Sequence, residues 1–537
     1  MADGDAGSTK RGRGGGGEVI ARAVAPLLDW YAGRRRRALE AVWRRGAEEQ
    51  ELALRALLWS ASDTEFGLAH GFRSIRTVAQ YQERVPIREY ADFRPSWERA
   101  VGGACSVTWP GRCRDWAKTS GTTSGDKMIP VTREAFASHR KGGWDAFLLA
   151  CTRVGARNLV GGPMLFLGGC TQPKEAGAGC RVGDLSGLVM RRLPPGIRGC
   201  YSPGRETGAI PDWERRIEAV ADLAAAQDVR LISGMPSWLV ILFERIARQR
   251  QASGRPVRDL AECWPELRVL IHGGVAFAPY AGVFDEWMGK RLERVEVYPA
   301  SEGFVGVQTE SSGGLTLMLD YSIFYEFVPV EDLGSARPRR HTVADVELHR
   351  PYALVMSTPG GLWSYLLGDT VRFVARDPLR LVITGRTRHY VNAFGENVIV
   401  EQVERALTGA CRRTESEVVE FTLAPRYPSA GEPRGGHEWL VEFRIPPREP
   451  EDFVRVLDET LAALNSDYRT KRTGGVGMVG PLVTALPPGT FYRWMRERGK
   501  LGDQHKVPRV TNDRAVAEAL LAIAAGGARP IADAVPA

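Results

Sequence analysis

Apolar positions in this chain alternate between helical and extended runs. Residues 20–43 repeat at helical spacing, as do 212–227 and 238–249, while 229–233 and 267–272 are short β-branched runs between polar breaks. That alternation predicts an α/β layer structure. Strand-like segments then crowd together at 295–298, 315–319, 325–330, 343–348 and 371–374, which predicts a mixed sheet or a partial barrel. After Thr384-Gly385-Arg386 the texture becomes compact. Helices are expected at 401–410 and 451–463, with a hairpin of 418–423 and 438–443 around a Pro/Gly-rich loop.

The expected organisation is α/β. A tail, 1–18, precedes a large N-terminal domain, 19–384, of mixed sheets, partial barrel and helices. A small α+β C-terminal domain, 385–537, follows. The tail is rich in Gly, Lys and Arg and has nothing to bury, so disorder is expected there. No internal repeat is evident.

Composition is ordinary for a globular protein, with 44% apolar and 25% charged residues in 537. The longest apolar runs, such as 235–243, are too short to span a bilayer, and the start lacks a signal-peptide apolar region. The net charge of +8 is spread along the chain. Its one tight basic run, Arg34 to Arg37, lies in a helical pattern and reads as a solvated face, so nucleic-acid binding is disfavoured. Eight cysteines without a C-x-x-C pair read as reduced cytoplasmic thiols, and eight dispersed histidines offer no zinc pattern.

The chemistry concentrates in a few segments. Lys118 to Lys127 is a Ser/Thr/Gly loop in which backbone N–H groups, hydroxyls and Lys127 can wrap a polyphosphate. It departs from the G-x-x-x-x-G-K-[ST] pattern, so a P-loop NTPase is a poor fit, and a plain Ser/Thr/Gly turn is the bland reading. Gly273-Gly274 ends a predicted strand and could admit a nucleotide, or could simply be a strand-to-helix turn. Tyr298-Pro299-Ala300-Ser301-Glu302 offers a ring to stack on a base, a hydroxyl, and a carboxylate suited to Mg²⁺ on phosphates. Tyr365-Leu366-Leu367-Gly368-Asp369 delivers an acceptor for ribose hydroxyls, and Arg386 could meet ribose or phosphate. Gly475 to Gly480 matches G-x-G-x-x-G but runs into Pro481 rather than a helix, so it is read as a decoy.

Taken in order, these segments resemble the Gretchen Hagen family of auxin-responsive acyl acid amido synthetases, within the adenylate-forming, luciferase-like superfamily. Similarity extends to Asn392 to Glu396 and to Gln504 to Arg509, and covers nearly everything after the tail. It is closer to the bacterial branch. The phosphate-loop spacing, Leu366 where an Arg is common, and Asn397 where the plant enzymes carry Lys are departures.

The resemblance implies an acid–amino acid ligase that uses ATP and Mg²⁺. Ser120, Gly121, Thr122, Thr123 and Lys127 would cradle phosphates, with Gly273, Gly274, Tyr298 and Ser301 also at the nucleotide. Glu302 would hold Mg²⁺, Asp369 and Arg386 would fix the ribose, and Lys506 would be carried over the site by rotation of the small domain. The acyl pocket is expected beside 233–238, with Met235, Trp238 and Phe277 as candidates for its wall or for ordinary core. Rival readings are a thiol-using acyl-CoA synthetase and a non-catalytic nucleotide-binding homologue. Carboxylic acid and amino acid are the expected partners, with neither nucleic acid nor a membrane span, and the location is cytoplasmic.

Overall fold

The computed structural model describes residues 15–119, 127–275, 277, 280–311, 313–387, 390–396, 398–428, 434–473, 477–498, 507–524 and 527–533. Eleven strands make one mixed sheet. In spatial order they are Phe324–Pro329, Pro351–Thr358, Leu362–Arg376, Leu379–Arg386, Leu315–Leu317, Gly303–Val307, Glu293–Ala300, Val269–Gly273, Leu231–Gly234, Met164–Leu167 and Tyr201–Ser202. The last five are parallel. The rest of the order is antiparallel, where hairpins replace crossover helices.

The antiparallel half curls into part of a barrel. The Tyr325 hydroxyl donates to the Phe304 carbonyl at 3.4 Å although their strands are five places apart in the sheet. At about 4.8 Å per strand a flat sheet would hold them more than ~20 Å apart. Register shifts in the pairs of Leu362–Arg376 with both neighbours, and at Phe304/Gly306, supply bends of the kind that let a sheet close on itself.

The expected helix of 212–227 is Trp213–Ala225, started by the Asp212 side chain accepting from the Arg215 N–H. Its neighbour Pro236–Ala252 starts with Pro236, where the missing N–H costs nothing. The first helix runs from Gly15 to Arg44, so residues 15–18 of the expected tail are helical, and 1–14 lie outside the described residues. Of the expected strand at 343–348, Leu348 bridges to Phe373 and the part before it forms a turn and irregular chain. Asp345 accepts from the Thr342 N–H and hydroxyl, and the resulting turn buries Val343 and Val346 without sheet pairing.

Beyond Thr387, whose N–H still donates to Gly368 in the large sheet, the chain builds its own four-stranded sheet. That sheet is ordered Glu417–Arg426, Gly436–Ile445, Leu482–Ala485, Arg529–Asp533, packed by helices Val400–Thr414 and Pro450–Leu464. The expected hairpin is its first pair. After the G-x-G-x-x-G stretch comes the strand Leu482–Ala485 rather than a helix, as the decoy reading required. One apolar cluster joins Leu239 and Phe243 of the parallel half to Phe394 and Trp439 of the C-terminal unit. All eight cysteines are unpaired, and among the described residues no helix is long and apolar enough to cross a membrane.

Candidate active site

The curl of the sheet brings two sequence motifs face to face. Tyr298 lies near the end of the strand Glu293–Ala300, whose chain reverses through Ser301-Glu302 into Gly303–Val307, with Ala300 paired to Gly303. Tyr365 and Asp369 lie on Leu362–Arg376, where Gly368 has φ +93°, a conformation that favours glycine. The Tyr298 hydroxyl donates to Asp369 Oδ2, and the Tyr365 hydroxyl donates to Glu302 Oε1 at 3.5 Å. Each motif therefore contributes a phenol to the other's carboxylate. Tyr298 is 7% exposed and Asp369 8%, so the first bond is sheltered from water and the second carboxylate stands at a more open turn.

Arg386 stands opposite Asp369 in the antiparallel ladder, and its side chain lies outside the described residues. Ser120, Gly121, Thr122, Thr123 and Lys506 also lie outside them. The strands flanking the predicted phosphate loop pair at Thr119 and Lys127, and Lys127 Nζ lies 5.6 Å from the Tyr90 ring centroid. Gly273 has a packing reason for its identity: a Cβ there would meet the Val297 carbonyl oxygen at 2.3 Å. Gly274 takes φ +87° in the turn that follows.

A cavity of about 900 Å³ adjoins these motifs. Lys118, Val297, Pro299 and Ser301 line it from the motif side, and Ser233 and Trp238 come from the segment expected to bear the acyl pocket. Met235 and Phe277 are not on its wall. Met235 Cε lies 3.4 Å from the Cβ position of Gly274, and Met235 Sδ and Cε lie 3.1 Å from that of Gly395, which puts Met235 between the large sheet and the C-terminal unit. Phe277 stacks on His272 at 4.4 Å and meets Phe284 edge-on, because the turn folds it back onto the helical layer.

His139 was not singled out from the sequence. It lies on the helix Arg133–Val154, lines the cavity, and contacts the Ser301 backbone. Burial pushes its imidazole down to about 4 while the contact with Ser301 works the other way, so it is neutral at physiological pH. A single histidine in a helix carries no spacing that distinguishes it from a surface one.

Glu396, in the Asn392–Glu396 segment, is fully buried. It accepts from the Ala393 and Phe394 N–H groups at 3.2 and 2.7 Å and lies 2.9 Å from His437 Nε2. Burial pushes its carboxyl up, but the His437 contact and the backbone donors outweigh it and hold the pKa below the usual range. Lys471 Nζ donates to the Gly395 carbonyl at 2.8 Å, tying the same loop from the other side.

This architecture is the adenylate-forming fold. The structure is similar to a GH3.15 acyl acid amido synthetase, with a TM-score of 0.57 and 18% identity over 90% of this chain and 95% of that one. It is also similar to a 2-hydroxyisobutyryl-CoA ligase, with a TM-score of 0.50 and 14% identity over 88% and 92% of the two chains. The GH3 family N-terminal domain matches residues 35–194, the central domain 316–386 and the C-terminal domain 401–515. The chain belongs to the GH3 family. Among named relatives, indole-3-acetic acid-amido synthetase GH3.3 of Arabidopsis thaliana is 23% identical over 88% of this chain and 90% of its own length. Indole-3-acetic acid-amido synthetase GH3.8 of Oryza sativa subsp. indica is 27% identical over 51% and 49%.

Proposed function

We propose that this protein is an ATP-dependent acyl acid-amido synthetase. The observation that carries the reading is that one short segment, Val297 to Glu302, both walls the large cavity and joins the paired carboxylates of the nucleotide motifs. An acid in the cavity would thus lie beside bound ATP.

The donor set suits a nucleotide. Lys118 and Lys127 flank the phosphate-loop segment, Asp369 offers an acceptor to ribose hydroxyls, and Gly274 leaves the strand end open. Glu302 suits Mg²⁺ bound through phosphates, which needs only one or two carboxylates from the protein. Such an ion would neutralise phosphate charge. Ser120, Gly121, Thr122 and Thr123 are assigned to the phosphates, and Arg386 to the ribose beside Asp369.

In the first step an acid oxygen attacks the α-phosphorus and pyrophosphate leaves with the bonding pair, giving an acyl adenylate. In the second, the nitrogen of an amino acid attacks the acyl carbon, AMP leaves, and the amine proton passes to solvent. Lys506 would stabilise charge on the transferring phosphoryl group after rotation of the small domain near Thr384 to Arg386. Met235 packs between Gly274 and Gly395, so such a rotation would change its contacts. The motif departures at Leu366 and Asn397 bear on which substrate is used, and the chain is assigned to the bacterial branch and to the cytoplasm.

The test is pyrophosphate release by the purified protein with Mg-ATP and a library of carboxylic acids, with and without pooled amino acids. Acid-dependent release that rises with amino acids is expected. Release that rises with coenzyme A alone would convert the reading to a thioester-forming ligase, and silence across the library would support a non-catalytic homologue.

A further inference from the structure

We infer that the acid used by this enzyme is a long or bulky apolar acid, on the scale of a long-chain fatty acid, held along the helix Arg133–Val154. The inference rests on the ligase reading above and names the substrate class of the same site.

At about 30 Å³ per water-sized group, a cavity of about 900 Å³ has room for roughly thirty non-hydrogen atoms. An indole ring with an acetate arm would fill about half or less of that space. Lys118 and Ser301 line the cavity while Tyr298, Asp369, Gly273 and Gly274 do not, so a bound nucleotide reaches it on the motif side and leaves the part along the helix Arg133–Val154 to the acid.

Beside larger side chains such as Arg140 and Trp144, the helix presents the small residues Ala137, Gly143 and Ala146 to the cavity, and larger ones at those three positions would consume it. Two adjacent glycines show the contrast. A Cβ on Gly142 would meet the Phe304 ring at 2.4 Å, so packing dictates glycine there. A Cβ on Gly143 would meet nothing within 4 Å, so no neighbour dictates glycine at 143, and its small size leaves cavity open. Glycine in a helix interior is destabilising relative to alanine.

The wall of the cavity is apolar for the most part. Phe147, Phe166, Met190 and Leu193 make it apolar, and Tyr31 and Ile197 carry that character to the surface, where they are 42% and 37% exposed. A hydrocarbon chain entering there meets Tyr31 and Ile197, while Arg140, Lys141 and Asp184 supply the charged part of the lining.

The experiment is ATP–pyrophosphate exchange by the full chain against straight-chain acids from acetate to stearate, with benzoate and indole-3-acetate alongside. Binding of radiolabelled palmitate is measured in parallel, for the natural chain and for Gly143→Leu. The leucine adds no backbone strain at this helical position, and its melting temperature checks folding. We expect exchange to be greatest with long acids, and Gly143→Leu to lower the ratio of kcat/KM for long over short acids at least tenfold while weakening palmitate binding. Preference for indole-3-acetate or smaller acids, with a ratio indifferent to Gly143→Leu, overturns the substrate class and leaves the ligase reading standing. Palmitate binding that Gly143→Leu weakens, without exchange for any acid, upholds the cavity assignment and overturns the ligase reading. Absence of both overturns both.

Discussion

The Tyr298 phenol donates its hydrogen bond to the Asp369 carboxylate across the curled sheet, between strands four places apart in its order. The returning bond, from Tyr365 to Glu302, makes the two motifs a single unit. Neither tyrosine need touch a substrate to matter, because each orients the group assigned to one.

Tyr298→Phe should weaken nucleotide binding by about tenfold or more, since a hydrogen bond to a charged group is worth about 1.5–3 kcal/mol. The effect should fall on the KM for ATP more than on kcat, as expected of a positioning residue. Titration calorimetry with ATP reads it directly. An unchanged affinity would leave Tyr298 a packing residue only.

Glu302→Gln should raise the Mg²⁺ concentration for half-maximal pyrophosphate release and lower the saturated rate about 10²-fold, the scale of one lost preorganised charge contact. Tyr365→Phe should do less, because its 3.5 Å contact is long for a hydrogen bond. Magnesium titrations of the two variants separate these roles.

Lys506→Ala should lose about 10²-fold or more in adenylation rate and retain ATP binding, because the residue is assigned to charge that develops during transfer. Single-turnover acyl-adenylate formation, set beside equilibrium nucleotide binding, makes the comparison. Unchanged turnover would remove Lys506 from the mechanism.

Stability should fall as pH drops below about 6.5. His139 and His272 are both buried, and burial pushes them down to about 4 and about 3, with Arg294 adding to the effect on His272. Unfolded histidines take up protons near pH ~6.5 while the folded ones resist, so stabilisation present above that value drains away toward each folded pKa. The windows correspond to about 3 kcal/mol for His139 and about 5 kcal/mol for His272. Urea midpoints taken from about pH 7 down to about pH 5 should decline, and His139→Gln or His272→Gln should flatten the slope.

Glu396→Ala should cost about 3–5 kcal/mol, the usual penalty for breaking a buried pair, because it strands His437 and two backbone donors. Its carboxyl is held below the ordinary value, so its contribution is complete above the unfolded carboxylate pKa and is lost as pH falls through the folded one. A calorimetric scan should show the lowered melting temperature, and an unshifted transition would deny the loop this role.

Much of this protein was already determined by local pattern. The helix Trp213–Ala225 with its Asp212 cap, the strand Val269–Gly273 and the hairpin of the C-terminal unit follow from periodicity and capping chemistry, which act over a few residues. The order of motifs was likewise visible, and so was Trp238 as a cavity residue. Local pattern failed at 343–347, where alternating residues suggested a strand but the Asp345 side chain competed for the backbone.

Only the tertiary structure decided which of those motifs meet. Tyr298 and Asp369 touch because bulges curl the sheet, and curl depends on pairing among strands distant in sequence. His139 became a site residue for the same reason: the register of its helix against the Ser301 turn is a packing outcome without a sequence period. Phe277, apolar and beside the glycine turn, reads from sequence as pocket wall or as core, and it packs half-buried on His272 and Phe284, off the cavity wall. Periodicity reports which side of an element is buried, and the curvature of the sheet chooses what that side faces.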